Sequence, residues 1–294
     1  MREQIKFAAG ILFLLFLLPV LGQMLLAGGG KLSFSSSVKL ESVLPMILYQ
    51  ELPGKFESEL ACAQSVLVRS RVYLEHEEEN QSLAEFLKAN IAYETKHKIE
   101  KKKYQQCQNA VKKTEGYVLS YGGKVVEGPY CRASNGWTRN GKEVFTDEDM
   151  GWLVGVESSP DLDYAAGRAP VSYTEEKLRK MLERSIDSSK TIIFPEKGLL
   201  LDQVVIGASD SCGYVTEVKI GEFSIPGETF RMTLNLPSAA FTMHREGDRL
   251  YFYCRGLGHG LGLSQNGGNV MAGEGKTWRE ILNHYFPNAQ IMKI

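Results

Sequence analysis

Residues 256–265 read Gly-Leu-Gly-His-Gly-Leu-Gly-Leu-Ser-Gln, four glycines in seven positions around His259. Glycine loses the most conformational entropy on folding and lets a ligand approach the backbone, so this density predicts a site loop that presents His259 and the Ser264 hydroxyl. It is not a dinucleotide fingerprint, because the glycines do not follow Gly-x-Gly-x-x-Gly and come after a late strand. Nor is it a nucleophile elbow, because Gly262-Leu-Ser264-Gln-Asn266 lacks the closing glycine. A polar groove lining remains, in which His259 is a second acid/base, an orienting hydrogen-bonder or a structural histidine.

Glu51 is the second group with chemistry in it. It follows Leu44, Ile47 and Leu48 by seven, four and three positions. A helix here therefore projects the carboxylate from its apolar face, beside Pro53-Gly54 where the helix must end. Desolvation is how a carboxyl is kept able to donate a proton near neutral pH. The plain alternatives are a surface glutamate at a frayed helix end, or one paired with an arginine. Arg69 shares a helical face with Cys62, Val66 and Tyr73, where an unpaired guanidinium is costly, so it requires an acidic partner or a ligand. Gln64, on the same helix, serves either a sugar hydroxyl or a backbone group.

The apolar spacing from Leu40 to Leu48 predicts the helix that carries Glu51, with Ser42 as its N-cap and Pro45 in the first turn. A second helix is expected over about residues 56–73, and residues 83–113 read as mostly helical. Tyr117–Tyr121, Gly122-Gly123 and Lys124–Glu127 spell strand, tight turn and strand, which deliver a polar turn at 130–138. Residues 160–205 read as a mostly helical connection, with a helix over 175–188, and form an extra lobe or a lid. Strands are expected at 214–220, 230–236, 241–244 and 250–255, and a closing helix at 278–285. Helices early, strands late and no βαβ alternation predict an α+β fold.

The chain has 294 residues and a formal net charge of −1, which gives no general attraction to nucleic acid. Lys96–Lys103 is then the solvated face of a helix. Residues 7–27 form an apolar stretch long enough for a bilayer core of about 30 Å. Arg2 and Lys6 before it favour a single-pass anchor, with residues 1–6 cytoplasmic and the C-terminal domain outside the cytoplasm. The other reading is a cleaved signal peptide, for which Ala27-Gly28-Gly29 offers small residues. Residues 28–37 read as a linker and 38–294 as one domain. The five cysteines are spaced singly, without any Cys-x-x-Cys, and no cofactor or metal motif is present.

The Gly-His-Gly and Ser-Gln of 256–265 resemble the signature of the SpoIID/LytB family of peptidoglycan-acting proteins. Three further blocks agree in order. They are Glu51-Leu-Pro53 with Glu59-Leu-Ala-Cys-Ala-Gln64 and Arg69, then Ala110–Val118, then Tyr130-Cys-Arg-Ala-Ser134-Asn-Gly136-Trp-Thr138. The resemblance implies a lytic transglycosylase that cleaves peptidoglycan glycan strands, stripped of stem peptides, to 1,6-anhydro products during sporulation and engulfment. It implies Glu51 as the catalytic residue and Gln64, Arg69, Tyr130, Ser134, Gly136, Thr138, His259, Ser264 and Gln265 as glycan-binding residues. A cell-wall amidase and other sporulation membrane proteins are the implied partners. The alternative is a non-catalytic wall-binding stimulator of an amidase, of the LytB type. Cys131 stands where many relatives carry histidine, Cys62 where lysine is usual, and Asn266-Gly-Gly where Trp-Gly-Ala is usual.

Overall fold

A computed structural model describes residues 38–77, 81–145, 150–164, 168–185 and 200–294. The expected membrane span at 7–27 and linker at 28–37 lie outside these residues. Among the described helices none is long and apolar enough to cross a membrane.

The described chain opens on α1 (Leu40–Glu51), α2 (Ser58–Glu77), α3 (Leu83–Lys96) and α4 (Lys101–Lys113). Ser42 does not cap α1. Lys39 holds that position, and the Ser42 hydroxyl turns back to donate to the Lys39 carbonyl at 2.6 Å. Every residue of α2 from Leu60 to Ser70 is buried. A helix enclosed on all sides needs short side chains where its neighbours come closest, and Ala61, Ala63, Ser65 and Ser70 supply them. The stretch 83–113 is mostly helical as expected, in two helices, with the chain extended at His97, whose ring stacks on Tyr93.

The glycine hairpin is present: β1 (Tyr117–Tyr121) pairs with β2 (Lys124–Val125) across Gly122 and Gly123, both at positive φ. The short β3 (Tyr130–Cys131) follows. Next comes a strand-rich part built from β4 (Val171–Thr174), α5 (Glu175–Ser185), β5 (Val204–Ser209), β6 (Val215–Ile220), β7 (Phe223–Pro226), α6 (Gly227–Thr233), β8 (Phe241–Glu246) and β9 (Arg249–Cys254). Two antiparallel sheets, in the orders β4-β9-β8 and β5-β6-β7, enclose one core with Leu178, Leu182, Phe230, Phe241 and Phe252 at its centre. Residues 171–185 thus share their core with 200–254. The strand expected at 230–236 is instead α6 and its exit. Phe230 and Leu234, four apart, bury one helical face, Arg231 pairs with Glu228 three residues back, and Asn235 at φ 49° ends the run. Alternation at 230, 232, 234 and 236 fits a strand equally well, so period alone cannot separate the two.

The chain finishes with β10 (Leu263–Ser264), α7 (Gln265–Gly273), α8 (Trp278–Tyr285) and β11 (Gln290–Lys293). A capping box of Thr277 and Glu280 starts α8. β11 pairs antiparallel with the free edge of β1, and α7 and α8 pack on α2, so the C-terminus completes the N-terminal helical part. The expected α+β class holds.

Candidate active site

The parallel pairing of β3 with β10 sets Leu263 beside Tyr130 and Ser264 beside Cys131. It brings the 130–138 turn and the glycine loop side by side. Two of the glycines are required by this packing. Gly262 sits at φ 65°, and a Cβ there would lie 2.0 Å from the Pro129 carbonyl oxygen. Gly260, at φ 79°, lies as tightly against the Tyr214 ring.

Between this layer and the end of α1 lies a cleft of about 720 Å³, lined by Glu51, Tyr130, Arg132, Arg231, His259 and Gln265 among others. Glu51 is the last residue of α1, and its side chain is 20% exposed. Its Oε1 accepts from Arg71 Nη2 at 2.5 Å. Its Oε2 is buried and has no hydrogen-bond partner. Arg71 also contacts Glu75 and donates from Nη1 to the Tyr130 hydroxyl at 3.4 Å. Burial alone would lower the Arg71 pKa, but Glu51 first, then Tyr130 and Glu75, outweigh it and raise it, so Arg71 is a permanent cation. The Tyr130 phenol is shifted upward by burial and next by Glu51, so it stays protonated. Gln265 fixes the Glu51 backbone from the other side, because its Nε2 donates to the Glu51 carbonyl at 3.1 Å and to Gln64 Oε1 at 3.4 Å.

His259 faces the same cleft. The Leu261 N–H donates to its Nδ1 at 3.0 Å, which places the proton of the neutral ring on Nε2. Burial pushes the His259 pKa down, Arg231 and Arg139 add to this, and Glu228 and a backbone hydrogen bond with Tyr130 oppose it. A histidine depressed on folding contributes its stability in full above the unfolded value of about 6.5 and loses it as pH falls through the folded value. Melting temperature is therefore expected to drop more steeply from about pH 7 to about pH 5 in the parent than in His259→Gln. Parallel profiles for the two proteins would refute this.

The other expected ligands are placed differently. Ser134 and Ser264 are fully buried, and both point at Asp161. Asp161 Oδ2 accepts from the Ser134 N–H at 2.8 Å and from its hydroxyl at 2.6 Å, while Oδ1 accepts from the Ser264 hydroxyl at 2.9 Å and from Asn266 Nδ2 at 3.0 Å. This carboxylate ties the turn to the glycine loop. Thr138 is buried and bonded to Val156 through both its hydroxyl and its N–H. Gly136, at φ 110°, packs on Leu162. None of these four lines the cleft. Cys131 does, but burial first and then Asp161 push its thiol up to about 12. All five cysteines are free thiols. Among the described residues no group of three His, Cys, Asp or Glu side chains is placed to hold a metal ion.

Arg69 also stays out of the cleft, although the sequence placed it among the glycan ligands. It is fully buried, and its Nε and Nη2 donate to the two Glu41 oxygens at 2.7 and 2.9 Å. Nη1 donates to the Tyr117 carbonyl and Nη2 to that of Val111. The arginine that meets Glu51 is Arg71. A signal for it was present: Gln64 and Arg71 are seven apart on α2 and therefore share one helical face.

Behind the loop, Arg139 and Asp210 form a buried ion pair at 2.6 Å, with the guanidinium 5.0 Å from the Tyr214 ring centre. Arg139 and the adjoining Trp152, Phe145 and Leu153 line a second, largely apolar cavity of about 360 Å³ that shares His259 with the first.

The fold and site thus define an α+β protein with a one-carboxylate cleft between a buried helix and a glycine loop. The sequence model of the SpoIID family, described as Stage II sporulation protein, matches residues 28–121. The chain is 27% identical over 268 residues to Stage II sporulation protein D of Bacillus subtilis (strain 168), which covers 87% of this chain and 75% of that protein. It is 26% identical over 277 residues to Stage II sporulation protein D of Bacillus amyloliquefaciens, with 87% and 74% covered. The amidase enhancer of Bacillus subtilis (strain 168) is 23% identical over 224 residues, 62% of this chain and 32% of that protein. The match to the family model over residues 28–121 and the likeness to these relatives support the SpoIID family.

Proposed function

We propose that this chain is a lytic transglycosylase of peptidoglycan glycan strands, held by residues 7–27 at the outer face of a membrane and acting in sporulation. The observation that carries this reading is the acid inventory of the cleft: Glu51 is the one carboxylate among its described lining residues. A hydrolase of the ordinary kind needs two carboxylates flanking the bond, one as acid and one as base or nucleophile. A lytic enzyme needs one. Glu51 Oε2 protonates the glycosidic oxygen as the bond to the anomeric carbon breaks. The resulting carboxylate then takes the proton from the sugar's own 6-hydroxyl as that oxygen closes onto the same carbon. The proton returns to Glu51, and no water is consumed. Arg71 on Oε1 steadies the carboxylate between the two transfers and keeps Oε2 aimed. Tyr130, Gln265 and neutral His259 supply hydrogen bonds to sugar hydroxyls.

The test is to incubate the full chain with glycan stripped of stem peptides and weigh the fragments. New ends lighter by one water than hydrolysis products are expected. The likeness to the amidase enhancer favours a second reading, in which the cleft binds glycan and a partner amidase does the cutting. Faster amidase turnover on adding this chain, with no anhydro ends, would establish that reading and sink the first.

A further inference from the structure

Arg69, Arg71, Arg139 and Arg231 each lie against a carboxylate: Glu41, Glu51, Asp210 and Glu228. Arg132 has none among the described residues. It follows Cys131 at the end of β3 and borders two adjoining spaces, the cleft with Glu51 and a hollow of about 290 Å³ lined by Pro53, Lys55, Gln265, Asn266 and Asn269. Its Nη1 is shut off from solvent and has no hydrogen-bond partner. On the side of the hollow the surroundings add positive charge, while Glu51 lines the cleft on the other side. Lys55 lines the hollow, and Lys103, whose pKa is lowered by burial in the main, is lowered further by Arg132. Among the described residues no acid lines the hollow. A guanidinium nitrogen withdrawn from water and left without an acceptor is costly, whereas a carboxylate matches the fork of donors that Arg132, itself half-buried, presents.

We propose that Arg132 is a specificity residue that binds a carboxylate carried by the sugar next to the cleaved bond. The inference rests on the glycan-cleaving reading for the identity of the ligand. In a peptidoglycan strand the sugars themselves carry one acidic group, the ether-linked lactate. Its carboxylate is free once the stem peptide has been removed and is an uncharged amide while the peptide is attached. Arg132 therefore makes the cleft select strands by the charge state of that lactate, and the amides of Asn266 and Asn269 border the same hollow. The carboxylates of the stem peptide are the other source of the same chemistry, and the experiment separates the two.

The full chain carrying Glu51→Gln, which cannot turn over, is titrated by calorimetry with three short glycan fragments: one with free lactyl carboxylates, one with those groups converted to neutral amides, and one with stem peptides attached. The free-carboxylate fragment is expected to bind about 10- to 100-fold more tightly than the neutral one, the range of a charged hydrogen bond. Adding Arg132→Gln should abolish that ratio while leaving the neutral fragment's affinity as it was, and Arg132→Lys should restore part of it. The proposal is overturned if free and neutral fragments bind the parent alike, if Arg132→Gln weakens both equally, or if no fragment binds. Equal or tighter binding of the peptide-bearing fragment, lost with Arg132→Gln, would move the contact to a peptide carboxylate and overturn the lactyl assignment. An intact ratio, in a protein whose Glu51 form makes no anhydro ends, would sustain the subsite and sink the catalytic reading.

Discussion

Glu51→Gln is expected to keep the protein folded and glycan-binding while cutting the formation of anhydro ends by roughly 10² to 10⁴-fold, the usual worth of a general acid/base. Glutamine keeps the shape and can accept from Arg71 through its carbonyl oxygen, but it cannot give up and recover a proton. The cleft has no second acid among its described lining residues to cover the loss. Folding should suffer little. The Arg71–Glu51 pair is partly exposed on both sides, at 29% and 20%, and Arg71 keeps contacts with Glu75 and Tyr130. Exposed pairs of this kind are worth about 0–1 kcal/mol. The measurement is the initial rate of new anhydro ends on stripped glycan, with the melting temperature followed alongside. A folded variant that forms product at near the parent rate would remove Glu51 from the mechanism.

Much of the scaffold was legible because strong local signals agreed with the tertiary answer. The Gly122-Gly123 hairpin, the helix at Trp278–Tyr285 and the Glu-bearing end of α1 all follow from turn chemistry or apolar spacing. What stayed hidden depends on contacts between distant parts of the chain. β11 joins β1 across more than half the sequence, and nothing local at Gln290–Lys293 announces that pairing. Asp161 was unreadable for the same reason: it lies in a stretch without clear period, and its partners Ser134 and Ser264 come from other segments. Those serines looked like ligands because a buried hydroxyl and a substrate-facing one have the same sequence. The glycine loop does border the cleft, through Gly258 and His259. Two of its glycines, Gly260 and Gly262, are also required by the close approach of Tyr214 and Pro129.

The two arginines of α2 give the sharpest separation between holding the fold and serving the site. Arg69→Met is expected to cost about 3–5 kcal/mol of stability, the range for breaking a buried pair by removing one partner. The guanidinium is fully enclosed, and its loss strands not only Glu41 but also the carbonyls of Val111 and Tyr117, which join α4 and β1 to the central helix. For a domain of this size that should appear as a fall in melting temperature of roughly 10 °C. The fraction that remains folded should bind stripped glycan with unchanged affinity, because Arg69 does not reach the cleft. Arg71→Met is the counterpart. Its partly exposed side chain should cost the fold at most about 1 kcal/mol, yet turnover should drop, since Glu51 Oε1 loses the cation that fixes it. Thermal melts and glycan titrations of both variants decide the matter. If Arg69→Met melted like the parent but bound glycan poorly, Arg69 would return to the glycan ligands and lose its role as the buried tie between α2, α4 and β1.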